Sequence, residues 1–123
     1  MTLLLLIVDD SPTETHRFKE VLSKHGFDVI VASNGADGVA MAKQNKPDAV
    51  LMDVVMPGLN GFQATRQITR DPSTKDIPVI IVTTKDQETD RIWGERQGAK
   101  GYLVKPVKDT DLIDTINKVL AAA

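Results

Sequence analysis

Three aspartates, a threonine and a lysine each stand directly after a short apolar run. Asp9 and Asp10 follow residues 3–8, Asp53 follows 49–52, Thr83 follows 79–82, and Lys105 follows 102–104. Three carboxylates brought into one pocket repel each other. At an effective dielectric of ~20, two unit charges ~4 Å apart interact by roughly 4 kcal/mol. Such a cluster calls for protonation, a cation, or both. A hard divalent ion such as Mg2+ suits it, because Mg2+ takes one or two carboxylates and keeps positions open for water and phosphate. Lys105 would add a positive charge on the other side. Acids, a divalent cation and a lysine together suit phosphoryl transfer, which depends on alignment and charge neutralisation. In that chemistry Asp53 can be the nucleophile that forms an acyl phosphate. Thr83 can offer its hydroxyl to a phosphoryl oxygen.

The elements that must position these residues are legible in the chain. Residues 3–8 form a continuous apolar run, as expected for a parallel strand covered on both faces. Ser11-Pro12-Thr13-Glu14 reads as a helix start: Ser11 as N-cap, Pro12 at the first helical position, Glu14 completing a capping box. Phe18, Val21 and Leu22 give that helix an apolar face, and Gly26 ends it. A second strand over 27–32 precedes a helix opened by Asn34-Gly35, carrying Val39 and Ala40 and ending near Asn45-Lys46-Pro47. Strand three covers 49–52. The turn-forming loop 56–61 leads to a helix with Phe62 and Ile68 that runs to about Arg70. Strand four covers 79–82, and the next helix passes through Ile92 and Trp93 to Gly98. Strand five covers 102–104. Leu112, Ile113, Ile116, Val119 and Leu120 fall at helical spacing in the last helix.

Five βα units predict an α/β fold with a parallel sheet and helices on both faces. In a doubly wound sheet of order 2-1-3-4-5, the ligand crevice opens beyond the ends of strands one and three. Asp9, Asp10 and Asp53 would converge there, flanked by Thr83 and Lys105.

Composition narrows the alternatives. The chain has 123 residues, the size of one domain, with 41% hydrophobic and 26% charged residues, the balance of a soluble globular domain. Its formal net charge of −2 gives no electrostatic reason to bind nucleic acid. With no cysteine there are no disulfides, thiolate metal sites or cysteine nucleophiles, which suits a reducing compartment such as the cytoplasm. The apolar run 3–8 is too short to span a membrane and lacks a basic leader, so neither an anchor nor a signal peptide is expected.

Four blocks, in order along the whole chain, resemble the receiver domain of two-component response regulators. They are Val8-Asp9-Asp10-Ser11, the stretch from Met52-Asp53 to Asn60-Gly61, Val82-Thr83-Thr84, and Gly98-Ala99-Lys100-Gly101-Tyr102-Leu103-Val104-Lys105-Pro106. The resemblance implies a flavodoxin-like five-stranded fold with five helices. It implies phosphorylation of Asp53 by a sensor histidine kinase or histidine phosphotransfer domain. It implies Mg2+ held by Asp10, Asp53 and the backbone carbonyl of Val55, with Asp9 acting mainly through water. Thr83, with Thr84 beside it, and Tyr102 would be the switch pair. Lys105 would bind the phosphoryl group, and the Lys105-Pro106 bond would be cis. Val55 and Lys85, each two positions past a site residue, would flank the path of the hydrolytic water. The stretch from Thr84 to Asp90 with Trp93 and Arg96-Gln97-Gly98, plus the stretch from Pro57 to Arg66, is similar to the stand-alone receivers of the chemosensory system that controls type IV pilus twitching motility.

A single receiver domain over 1–123, with no output domain after the last helix, is expected to signal by binding another protein. The resemblance puts that contact on helix four, strand five and helix five, roughly 86–97, 101–104 and 109–120, on a monomer or weak dimer. Whether it transmits a signal or acts as a phosphate sink for a sister receiver stays open at this level.

Each residue alone has a blander reading. An acid can simply end a strand, threonine often does, lysine before proline is common on surfaces, and tyrosine is more often core than switch. His16 and His25 read as surface or cap residues, with no second ligand pattern beside them. Trp93 reads as a partly buried packing residue, or, if exposed, as part of a contact surface. Three rival functions fit less well. A phosphatase of the haloacid dehalogenase type needs a second acid two positions after the first-strand nucleophile, where Ser11 stands. A flavodoxin-type module must cradle a phosphate in its first loop, where Asp9-Asp10 would repel it. A receiver-like adaptor that takes no phosphate would not need Asp10, Asp53, Thr83 and Lys105 together.

Overall fold

A computed structural model describes residues 2–122. Its elements alternate strictly: β1 (Leu4–Val8), α1 (Pro12–Lys24), β2 (Asp28–Ala32), α2 (Gly35–Asn45), β3 (Ala49–Met52), α3 (Gly61–Arg70), β4 (Val79–Thr83), α4 (Glu88–Arg96), β5 (Gly101–Val104) and α5 (Asp109–Ala122). All strand pairs are parallel, as the βα pattern predicted, and the sheet order is β2-β1-β3-β4-β5, the order expected of a flavodoxin-like fold. No described helix is long and apolar enough to cross a membrane.

The central strands are apolar at every position but Thr83, the last of β4, because both faces are covered. On one face, Leu5, Ile7, Leu51, Ile80 and Val82 pack against Phe18 and Leu22 of α1 and Leu112 and Ile116 of α5. On the other, Leu6, Val8, Val50 and Met52 pack against Val39 and Ala42 of α2 and Ala64 and Ile68 of α3. A smaller cluster of Val54, Phe62, Ile81 and Tyr102 lies beside α4.

Several local expectations needed adjustment. Ser11 caps α1, accepting from the Glu14 amide at 3.3 Å, but Glu14 does not complete the box. Its Oε2 is buried without a hydrogen bond, 3.7 Å from the Arg17 guanidinium. The reciprocal box forms instead on α3, between Asn60 and Gln63. In α2 the inward stripe is Gly35, Gly38, Val39 and Ala42, while Ala40 is exposed. Helix α4 buries only Gly94, leaving Ile92 42% and Trp93 48% exposed. His16 pairs with Glu20 on the surface and His25 caps α1, its Nδ1 2.9 Å from the Val21 carbonyl, in line with their reading as surface and cap residues.

Thr65 is fully buried in α3 and its hydroxyl has no partner among the described residues. An unsatisfied buried hydroxyl costs about 1–3 kcal/mol. Thr65→Val keeps the shape and removes the hydroxyl, so thermal unfolding should show the variant more stable by ~1 kcal/mol. Equal or lower stability would mean that the hydroxyl finds a partner.

Candidate functional site

Register builds the site. Val8 pairs with Met52 across β1 and β3, so the next residues, Asp9 and Asp53, emerge side by side from the strand ends. Two hydrogen bonds carry the ladder one step further: the Asp53 amide donates to the Val8 carbonyl at 2.9 Å, and the Asp9 amide to Ala32 at 3.1 Å. Met52 pairs with Ile81 and Thr83 with Val104, which brings Thr83 and Lys105 to the same edge. The Lys105 amide then donates to the Thr83 carbonyl at 2.8 Å.

The side chains converge. Asp9, Asp10 and Asp53 each offer a carboxylate oxygen within 4.8 Å of the others. Lys105 Nζ lies 2.8 Å from Asp9 Oδ2 and 3.8 Å from Asp53 Oδ2. The second oxygen of Asp9 accepts from the Ser11 amide at 2.9 Å, so both of its oxygens are engaged within the protein. Asp10 is different: it is exposed and has no hydrogen bond or ion pair among the described residues. Asp53 is 7% exposed, and its Oδ1 accepts from the Val54 amide at 2.8 Å.

Burial raises the Asp53 carboxyl above its ordinary pKa; Lys105 pulls it back, Asp9 raises it further, and the Val54 and Val55 amides pull it down. An acid under strain from a neighbouring carboxylate, next to a second acid with free oxygens, suits a divalent cation of the magnesium type. The donor set is all oxygen and has no soft ligand. The observation that supports the fit is this combination of clustered carboxylates with an unpartnered Asp10.

Thr83 is fully buried, and its Oγ1 accepts from the Lys85 amide at 3.4 Å. The Lys85 carbonyl in turn accepts from the Tyr102 hydroxyl at 2.8 Å. The Tyr102 ring is inward in this structure, packed beside Gly94 and under the Arg91 guanidinium, whose carbon is 5.3 Å from the ring centre. Burial, then Asp90, pushes its phenol pKa up, with Arg91 opposing. It therefore stays protonated and donates. Thr84, Lys85 and Pro106 are exposed, Val55 is 56% exposed, and the Lys105-Pro106 bond is cis.

Two residues at the site escaped the sequence reading. Arg17, one turn into α1, donates to the Val107 carbonyl and to Asp109 at 3.0 Å, tying α1 to the loop that follows Lys105. No local pattern marks this contact, because its partners lie about ninety positions away. Gly61 opens α3 against the Asp53 backbone: a Cβ there would stand 1.9 Å from the Asp53 carbonyl oxygen. Its place at the end of a turn-rich loop was visible, but the close approach was not.

Known proteins share both sequence and geometry. The family model for the response regulator receiver domain matches residues 5–117. Protein PilH of Pseudomonas aeruginosa is 67% identical over 117 residues, 95% of this chain and 97% of PilH. The chemotaxis protein CheY4 of Vibrio cholerae superposes with a TM-score of 0.91 at 28% identity, covering 97% of this chain and 99% of CheY4. The receiver domain of a Pseudomonas aeruginosa sensor histidine kinase, solved with a magnesium ion coordinated in its active site cleft, superposes with a TM-score of 0.90 at 28% identity, covering 98% and 99%. The chain belongs to the response regulator receiver domain family.

Proposed function

We propose that this protein is a phosphorylation-operated switch in which Asp53 accepts a phosphoryl group, with Mg2+ held by Asp10, Asp53 and the Val55 carbonyl. The observation that carries this is the edge where Asp53, Asp9 and Asp10 meet Lys105. The metal would supply charge neutralisation for the incoming phosphoryl oxygens. Asp53 attacks phosphorus: its O–P bond forms as the P–N bond to the donor's histidine breaks, the imidazole leaves, and Asp53 becomes an acyl phosphate. Lys105 then meets the new negative charge, having been held in place by Asp9. Asp9, engaged on both oxygens, orients Lys105 and reaches a metal only through water.

The donor is a histidine kinase or a histidine phosphotransfer domain, and the only chemistry the protein catalyses is its own phosphorylation and dephosphorylation. The similarity to PilH supports a role in type IV pilus twitching motility, in the cytoplasm. The protein's output is binding to another protein. The exposed Ile92 and Trp93 support the face of α4, β5 and α5 as the contact, because large apolar side chains left in water are the usual anchors of an interface.

The Thr83–Lys85–Tyr102 chain gives the switch its route. When Thr83 turns its hydroxyl to a phosphoryl oxygen, the Lys85 amide loses its acceptor. The Lys85 carbonyl, which holds the Tyr102 hydroxyl, then shifts beside α4. The Tyr102 ring already lies inward, so this route needs no rotation of the ring. Partner affinity unchanged by phosphorylation would remove the reading.

The direct test is incubation with Mg2+ and a small acyl-phosphate donor, followed by weighing the intact protein. One added phosphoryl group, absent with a chelator, supports the reading; turnover of many phosphomonoesters would favour a phosphatase. Mg2+ should also raise stability by ~2.7 kcal/mol at a hundred times its dissociation constant. Chemical denaturation with and without Mg2+ should show this gain lost in Asp10→Asn. Val55 is exposed at the mouth of the site and its side chain cannot bond a water. Val55→Asn supplies a group that can, so the acyl phosphate should hydrolyse several-fold faster. An unchanged decay rate would show that this position does not touch the water.

A further inference from the structure

A second candidate site lies at the opposite edge of the sheet. A groove of about 740 Å³ opens between the C-terminal ends of α3, α4 and α5, where β4 and β5 begin. Five cations line it, Arg70, Lys75, Arg96, Lys100 and Lys118, against a single acid, Asp76. None of the five has an ion pair or a side-chain hydrogen bond to an acceptor among the described residues. Ile77, Pro78 and Val119 add an apolar part to its lining.

Helix ends account for part of this charge. Arg70 and Arg96 are the last residues of α3 and α4, where cations offset the negative pole of the helix, while Lys118 lies before the last turn of α5. Lys75 and Lys100 lie outside any helix, so that compensation does not explain them. Their collection in one concavity is at odds with a chain of net charge −2, which gives no general excess of cations.

We propose that this groove binds a small organic polyphosphate of nucleotide type. The volume falls in the range of about 300–1,000 Å³ typical of small-molecule sites. Two guanidinium groups match phosphate oxygens in pairs, and lysines add point charges. The apolar lining suits a flat base, which a free inorganic anion lacks. A long polyanion such as nucleic acid would meet the negative charge of the rest of the surface. The ligand would sit at the starts of the two strands whose far ends carry Thr83 and Lys105, away from Asp53.

The test titrates ATP into the isotope-labelled protein with a chelator present, so that the acid cluster cannot recruit it through a metal. Saturable shifts of the Gly98, Lys100 and Lys118 amides are expected, with Kd about 1 mM or tighter. Arg70→Gln with Arg96→Gln should weaken binding at least ~10-fold, and Lys75→Gln, outside any helix, should weaken it as well. Phosphoryl uptake at Asp53 in these variants should be unchanged, which shows the fold intact and separates this site from the first. Tripolyphosphate, lacking a base, should bind more weakly than ATP. No saturable shifts, shifts confined to the Asp9–Asp53 loops, affinity indifferent to the substitutions, or equal affinity for tripolyphosphate would each overturn the proposal.

Discussion

Asp53→Asn is expected to take up no phosphoryl group and, without metal, to be more stable than the parent chain at neutral pH. The first effect follows from removing the only oxygen nucleophile proposed to form the acyl phosphate. The second follows from the sign of the Asp53 shift. Burial, reinforced by Asp9, raises its folded-state pKa despite the opposing pull of Lys105. The folded state therefore holds this proton more tightly than the unfolded chain, whose value is about 4. As pH rises through that value, the unfolded chain ionises first and stability falls, until the folded carboxyl ionises too. Below both values the acid is neutral in both states and contributes no penalty. Asparagine never ionises, so its advantage should be absent below the unfolded value and grow as pH rises above it, set by the repulsion it removes against the Lys105 attraction it loses. Denaturant melts across pH with a chelator present would check this. A stability difference independent of pH would show that repulsion at this carboxylate is not its origin. Saturating Mg2+ should narrow the gap, because the cation offsets the same repulsion.

Gly61→Ala is expected to destabilise the fold by ~3 kcal/mol or more and to impair phosphoryl uptake in the molecules that remain folded. A methyl group there would meet the Asp53 carbonyl oxygen at 1.9 Å and the Val54 Cα at 2.7 Å. Both are backbone atoms, so no side chain can turn away. Relief requires α3 to retreat from the strand end that carries Asp53, and a displacement of even 1 Å at a reacting group can cost ~100-fold in rate. Gly58, in the same loop, makes a useful contrast. Nothing lies within 4 Å of its added Cβ, and only its φ of +74° resists substitution. Gly58→Ala should therefore cost about 1 kcal/mol and leave uptake largely intact. Similar losses at both positions in denaturation and mass measurements would mean that loop conformation, not contact with Asp53, governs the effect.

The two predictions differ in what made them accessible. Asp53 was legible because a charged residue directly after Ala49–Met52 breaks a run with no other reason to stop, and because Asp9, Asp10, Thr83 and Lys105 repeat that placement. A parallel sheet puts all such strand ends on one edge. The five βα units were legible for the same reason, since strands buried on both faces read as apolar runs, while the sheet order came with the fold resemblance. The helix start at Ser11 was readable from capping chemistry, which acts within four residues, while Asn34 and Asn60 were legible only as turn residues before a helix.

Whatever depended on contact between distant segments was not readable. The sequence put three acids and a lysine on one edge, but not which acid the lysine would take. Lys105 binds Asp9 at 2.8 Å and stands off Asp53 at 3.8 Å, leaving Asp10 unpartnered. Likewise the exposure of Trp93 follows from α4 burying only Gly94 against the sheet. The clamp of Arg17 on Val107 and the collection of five cations at the far edge join residues from separate elements. Residue type and spacing along the chain thus determined the fold class and the edge where the acids, threonine and lysine gather, because these follow from burial periodicity and strand direction. Pairing, exposure and close approach were decided by tertiary structure, because each is a distance between segments that no local pattern encodes.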